Sequence, residues 1–215
     1  MTHSSVALLV DGDNISADHA KHILKIAQDI GTVTIARTYG NAQKGPKWLA
    51  QPQFHFVHAG TGKNASDLLL TIEAMEFYSD LGPSAFVIAS SDGDFTHLAR
   101  RLREKGRHVV GVGERKTPQS FREASSHFEM LFDETTMFNR MIREVIRAGS
   151  TKGNGIDLQA LSNGMKRHGK TISAKGHPNW RDYLKSHPDL FELHDCESIT
   201  HVRFKPEGFA ILDDT

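Results

Sequence analysis

Two apolar runs, far apart in the chain, end in the same way. Ser84-Ala85-Phe86-Val87-Ile88-Ala89 stops at Ser90-Ser91-Asp92-Gly93-Asp94-Phe95, and Val6-Ala7-Leu8-Leu9-Val10 stops at Asp11-Gly12-Asp13-Asn14. A continuous apolar run bounded by turn residues reads as a strand buried on both faces of a parallel sheet. In open α/β sheets the site lies beyond the carboxyl ends of the strands. Two such strands in one sheet bring their acid-Gly-acid tips to one edge and one cleft.

The rest of the first 132 residues alternates between strand and helix patterns. Ser16 is placed to cap a helix that carries Ala20, Ile23, Leu24, Ala27 and Ile30 at helical spacing and stops at Gly31. The β-branched stretch Thr32 to Arg37 reads as a strand, and Phe54 to His58 as a further candidate strand. The loop Gly60-Thr61-Gly62-Lys63-Asn64-Ala65-Ser66-Asp67 opens a helix from Leu68 to Tyr78, with Leu69, Ile72 and Met75/Glu76 expected inward. A helix over Phe95 to Lys105, a strand at Arg107 to Val112 and a last strand at Phe128 to Leu131 complete an α/β sandwich with a mainly parallel sheet. After Phe132 the pattern changes. Thr135 to Arg147 is amphipathic. Two short helices with Leu158/Leu161 and Trp180/Tyr183/Leu184 follow, then strands at Leu190 to Leu193 and His201 to Phe204, which together describe a small winged-helix domain over residues 133–215.

The chain has 215 residues and a formal net charge of zero. No global field pulls it onto nucleic acid or membrane, so such contacts require a local patch. Its single cysteine excludes a disulfide framework and a cysteine-based zinc site. The thirteen histidines are scattered, without ligand spacing. The first residues carry no basic region, and Val6 to Val10 is too short for a signal core or a membrane span, so a cytoplasmic protein is expected.

Asp11, Asp67, Asp92 and Asp94 fall at strand tips or a helix start on one predicted edge. Carboxylates gathered there do not all stay ionised without a counter-charge. A hard divalent cation supplies one, and oxygen-only ligands select Mg²⁺ or Mn²⁺ over zinc. Such a cation holds a phosphate oxygen, acidifies water and stabilises a leaving oxygen. Asn14, Ser90, Ser91 and Thr96 are placed to orient the acids or hold waters. Taken singly, Asp67 also fits a plain helix-start acid and Asp94 a helix cap. Asp13, two residues beyond Asp11, can as easily face solvent and is the weaker candidate. Glu73 lies two-thirds of a helical turn from the Asp67 face and is left outside the cluster.

Val10-Asp11-Gly12-Asp13-Asn14, Gly62-Lys63-Asn64-Ala65-Ser66-Asp67 and Ser90-Ser91-Asp92-Gly93-Asp94-Phe95 together resemble the three signature segments of NYN domains of the LabA-like type, relatives of PIN-domain ribonucleases. The resemblance covers residues 5 to 132. It implies a PIN-like, Rossmann-like three-layer sandwich and Mg²⁺- or Mn²⁺-dependent cleavage of RNA phosphodiesters. It places Asp11, Asp67, Asp92 and Asp94 as metal-binding catalytic acids, with Asn14 as a polar partner. Asn64 and Ala65 depart from the Gly and β-branched residue of many relatives, and some relatives lack activity. Residues 135 to 207, through Gly155-Ile156-Asp157-Leu158, Asn179-Trp180-Arg181-Asp182-Tyr183-Leu184 and Asp189-Leu190-Phe191-Glu192-Leu193, resemble the OST-HTH (LOTUS) winged-helix domain, which implies RNA binding or protein docking.

Single-stranded or structured RNA is the expected partner. Lys44, Lys47 and Lys63 sit in loops on the predicted active edge. Arg100 belongs to the strongest local positive excess, and Lys166, Arg167 and Lys170 flank the central loop of the C-terminal domain. Such groups add affinity and salt sensitivity rather than sequence choice. Trp180, Tyr183 and Phe191 are spaced for packing rather than base stacking. Two alternatives stand beside the ribonuclease: an RNA-binding adaptor without turnover, and a phosphatase that resembles the haloacid-dehalogenase type through Asp11-x-Asp13, although Asn14-Ile15 replaces the hydroxyl residue expected there.

Overall fold

The computed structural model describes residues 4–43, 46–151, 153–196 and 199–213. In chain order the elements are β1 (Ser5–Asp11), α1 (Ala20–Ile30), β2 (Thr32–Gly40), α2 (Pro46–Leu49), β3 (His55–His58), α3 (Ala65–Asp80), β4 (Ala85–Ala89), α4 (Phe95–Glu104), β5 (His108–Glu114), α5 (Gln119–Ala124), β6 (His127–Leu131), α6 (Glu134–Gly149), β7 (Ile156–Asp157), α7 (Leu158–Arg167), α8 (Trp180–Lys185), β8 (Phe191–Cys196), β9 (Ile199–Phe204) and α9 (Pro206–Asp213). The chain divides into two compact units, Met1–Leu131 and Phe132–Thr215. No helix among the described residues is long and apolar enough to cross a membrane.

Six parallel strands form the sheet of the first unit in the order β3-β2-β1-β4-β5-β6. β1 lies at its centre, and both apolar runs are fully buried because helices cover both faces. Alternate residues face opposite layers. Val6, Leu8 and Val10 pack with Val87, Val110 and α1 residues Ile23 and Ala27, together with Trp48. Ala7, Leu9, Phe86 and Ile88 pack on the other side with Leu70, Ala74 and Phe77 of α3 and with Leu98 and Leu102 of α4. The chain builds β2 and β3 on one side of β1, then crosses back through α3 to start β4 on the other. The strand order therefore reverses between β1 and β4, and in a doubly wound sheet the crevice opens at that reversal. Asp11 ends β1, and Ser90 to Asp94 follow β4 directly.

α3 corrects one expectation. Its fully buried residues are Ser66, Leu70, Ala74 and Phe77; Leu69 and Met75 pack partly buried against the same core, while Ile72, expected inward, is 54% exposed, Glu76 is exposed, and Leu68 is 62% exposed. Apolar residues occupy nearly every side of this helix, so periodicity alone does not select the packed face; docking on the sheet does.

In the second unit, an antiparallel sheet of order β7-β9-β8 accompanies α6 to α9. Phe138, Ile142, Leu161, Met165, Trp180, Tyr183, Phe191 and Phe209 form its core. Trp180 stacks on Phe138 at 6.0 Å, and the Tyr183 hydroxyl donates to Asn139 Oδ1 at 2.8 Å. β7 and α9 have no counterpart in the sequence reading, being two residues long and chain-terminal respectively.

Asp133 caps α6, accepting from the Thr135 and Thr136 amides at 2.8 and 2.9 Å. Partial burial pushes its carboxyl up, but the hydrogen bonds from Thr136 and Thr135 outweigh this and hold it below the usual aspartate range. Asp133→Ala is expected to cost the second unit about 1 kcal/mol at neutral pH. Because the folded carboxyl is the stronger acid, the cap's contribution is present above the unfolded pKa and is lost as pH falls through the folded one. Thermal melts of the two proteins, followed at neutral and acid pH, check both the size and the direction.

Candidate metal centre

The Asp11-Gly12-Asp13 turn is held by backbone. Gly12 N donates to Tyr39 O at 2.7 Å, and Ile15 N to Asp11 O at 2.9 Å. Trp48 Nε1 donates to Ile15 O at 2.9 Å and closes the turn from below. A Cβ on Gly12 would lie 2.6 Å from Thr38 Cγ2 and 3.1 Å from the Trp48 ring, so the turn accepts no larger residue without shifting. Ser90, fully buried, joins this turn to the next: its hydroxyl donates to Asp11 Oδ2 at 2.8 Å and accepts from Asp92 N at 3.0 Å. Asp92 Oδ1 in turn accepts from Asp94 N at 2.9 Å. Asp94 stands at the start of α4 but makes no side-chain capping bond, which leaves its exposed carboxylate facing solvent rather than its own helix.

Asp67 lies in the first turn of α3, one residue after Ser66. A cavity of about 470 Å³ opens between this helix start and the β1 turn, with Asp11, Asp13, Asn14, Lys63 and Asp67 among its lining. Burial pushes the Asp11 carboxyl up to about 6; the Ser90 and Asn14 hydrogen bonds offset part of this, while Asp67 and Asp13 add to it. Asp67 is raised as well, first by burial and then by Asp92, Asp94 and Asp13. Asp67 therefore lies within electrostatic reach of the other four aspartates, and Asp11 within reach of Asp67 and Asp13. Among the described residues, no basic side chain forms an ion pair with any of them.

Asp13 is the acid that sequence reasoning set aside. Its Oδ2 accepts from Ser66 Oγ at 2.6 Å and its Oδ1 from Asn41 N at 3.0 Å, which ties the tip of β1 to both β2 and α3. The residue is exposed, as a position two beyond Asp11 allows, but both of its carboxylate oxygens are tied into the turn.

Two expected polar partners do other work. Ser91 Oγ accepts from Glu114 N at 3.0 Å and holds the end of β5. Thr96 Oγ1 donates to Gly93 O at 2.6 Å and shapes the Asp92–Asp94 turn without touching an acid. Lys44 lies outside the described residues. Lys47 pairs with Asp18 at 3.3 Å. Lys63 is exposed on the cavity rim, and Arg100 is exposed on α4. Much of the basic run around Arg100 is engaged locally: Arg101 with Glu104, Arg103 with carbonyls of α5, and Lys105 and Arg107 over the Tyr78 ring. Lys166, Arg167 and Lys170 are exposed in the second unit.

The donor set is oxygen throughout, which suits Mg²⁺ or Mn²⁺. Among the described residues no group of three or more His, Cys, Asp or Glu side chains stands close enough together to hold a metal ion. An open set of carboxylates fits a hydrated Mg²⁺, which keeps several waters and takes one or two carboxylates directly.

A solved structure of a protein of unknown function from Vibrio parahaemolyticus shares this fold at a TM-score of 0.51 and 22% identity, over 61% of this chain and 94% of that one. No curated protein matches the chain. The NYN domain profile matches residues 5–132, which takes in every element from β1 to β6 and all five aspartates. The chain belongs to the NYN domain family, within the PIN-like nuclease superfamily.

Proposed function

We propose that this protein is a divalent-metal-dependent ribonuclease. Asp11, Asp67, Asp92 and Asp94 hold Mg²⁺ or Mn²⁺, with Asp13 lining the same cavity as Asp11 and Asp67. The observation that carries this reading is the buried Asp11 carboxylate, raised to about 6 at the strand-order reversal and facing other acids rather than a basic partner. Once bound, the cation would neutralise phosphate charge and acidify water for attack on phosphorus. The chain's own residues orient the acids. Ser90 braces Asp11 and the Asp92 turn together, Asn14 hydrogen-bonds Asp11, and Ser66 fixes Asp13. Lys63 offers its ammonium to a phosphate entering the cavity, and Arg100 extends the track along α4. The second unit, with Lys166, Arg167 and Lys170 exposed, serves as an OST-HTH-type winged-helix module that positions RNA or docks a protein.

Asp92→Asn is expected to lower Mn²⁺-dependent cleavage of a mixed-sequence RNA by roughly 100-fold or more while leaving the fold intact. Undiminished cleavage by that variant would refute the assignment. The open spacing of the acids favours one second reading, an RNA-binding adaptor without turnover. A gel shift that survives EDTA, with no cleavage in any divalent metal, would establish it.

A further inference from the structure

We propose that the outer face of α3 pairs, antiparallel, with the α3 of a second copy of this chain. Ser66, Leu70, Ala74 and Phe77 face the sheet, yet the opposite side of the helix is not polar. By spacing, Ala65, Leu68, Ile72, Met75 and Ser79 follow one another at three, four, three and four residues, with Met75 half-buried and packed against the chain's own core. That is the heptad seam of a two-helix contact. A helix face meant for water carries charges instead. Here Leu68 and Ile72 stand 62% and 54% exposed in its middle, among the few large hydrophobic side chains that the described residues leave open.

The charges at the ends of the stripe select the partner and its direction. Lys63 lies just before the helix, and Glu76 lies beyond Ile72 on the flank of the same face; both are exposed. A parallel pair would set Lys63 against Lys63 and Glu76 against Glu76. An antiparallel pair sets Leu68 against Ile72 of the other copy and Lys63 beside its Glu76, with each contact repeated by the two-fold axis. A self-complementary patch of this kind is what a two-fold dimer requires. Opposed helix dipoles favour the same direction. Three overlapping turns fall short of the ~800 Å² per partner of a standard interface, so the expected dissociation constant is on the order of 10–100 µM.

Sedimentation velocity on the full chain, over about two decades of micromolar concentration, is expected to show a reversible monomer–dimer equilibrium. Ile72→Glu places two carboxylates in the seam and is expected to remove the dimer across that range; since Ile72 is already half exposed, its melting temperature should stay that of the wild type. Lys63→Glu weakens association, and adding Glu76→Lys to it restores association. In a Cys196→Ser background, mild oxidation of mixed Leu68→Cys and Ile72→Cys proteins is expected to cross-link one variant to the other. Four results would overturn the proposal: a monomer at every concentration, a dimer indifferent to Ile72→Glu, preferential linkage of the Leu68→Cys variant to itself, or association that appears only when RNA is added, which would give the face to nucleic acid.

Discussion

Asp11→Asn is expected to make the metal-free protein more stable at neutral pH and to abolish its response to Mn²⁺. Asp11 is 1% exposed, and its carboxyl titrates near 6 in the fold against 3.8 for an ordinary aspartate. A folded pKa above the unfolded one means that the unfolded chain gives up its proton first. Stability therefore falls as pH rises from about 4 to about 6, and the penalty is complete above that window. Two units correspond to about 3 kcal/mol, an upper figure for a carboxylate that still accepts hydrogen bonds. Asn keeps the size and one acceptor for Ser90 and cannot ionise, so the variant escapes the penalty. The gain should be absent at pH 3.5 and full at pH 7.5. In the wild type, Mn²⁺ should raise the melting temperature at pH 7.5 by relieving the same carboxylate; in Asp11→Asn that increment should vanish. Equal melting temperatures for the two metal-free proteins at pH 7.5 would mean that Asp11 is already compensated.

Glu73→Ala is expected to be the most destabilising exchange outside the hydrophobic layers. Glu73 Oε2 accepts from the Tyr39 hydroxyl at 2.7 Å and from Arg37 at 2.5 Å, and Arg37 lies 4.8 Å over the Phe77 ring. Tyr39 is fully buried, and its hydroxyl is pushed well up, first by burial and then by its bond to Glu73. Removing the acceptor leaves a buried hydroxyl unpaired and a half-covered guanidinium without its partner. Discounted for the partial exposure of Arg37, the cost is about 2–4 kcal/mol. The same contacts tie the middle of α3 to β2, and β2 in turn accepts from Gly12 in the acid turn through Tyr39 O. Loosening them should weaken Mn²⁺ binding as well as lower the melting temperature. Glu73→Gln, which still accepts from Tyr39, should lose less of both. Denaturant titration and calorimetric Mn²⁺ titration separate the two effects.

The central architecture was legible because two strands are apolar on both faces and end in the same acid-Gly-acid turn. That pattern has few solutions other than a central parallel pair, and the order β3-β2-β1-β4-β5-β6 makes β1 and β4 that pair. The roles of Asp13 and Glu73 were not legible, because both depend on contacts between segments distant in the chain. Asp13 is held by Ser66 and Asn41, and Glu73 by Arg37 and Tyr39. Local periodicity placed Leu69 and Met75 of α3 against the core but also turned Ile72 and Glu76 inward, because apolar residues surround the helix. Ser91 and Thr96 were expected to orient the acids or hold waters; in the fold their hydroxyls bond nearby backbone groups.

The most direct measurement is anomalous diffraction at the manganese edge from a crystal soaked in Mn²⁺. A peak in the cavity between the Asp11 and Asp67 carboxylates, absent from Asp11→Asn crystals soaked alike, is the predicted result. Well-ordered aspartates with no peak among them, at a Mn²⁺ concentration that supports RNA cleavage in solution, would contradict the assignment of this cluster as the metal centre.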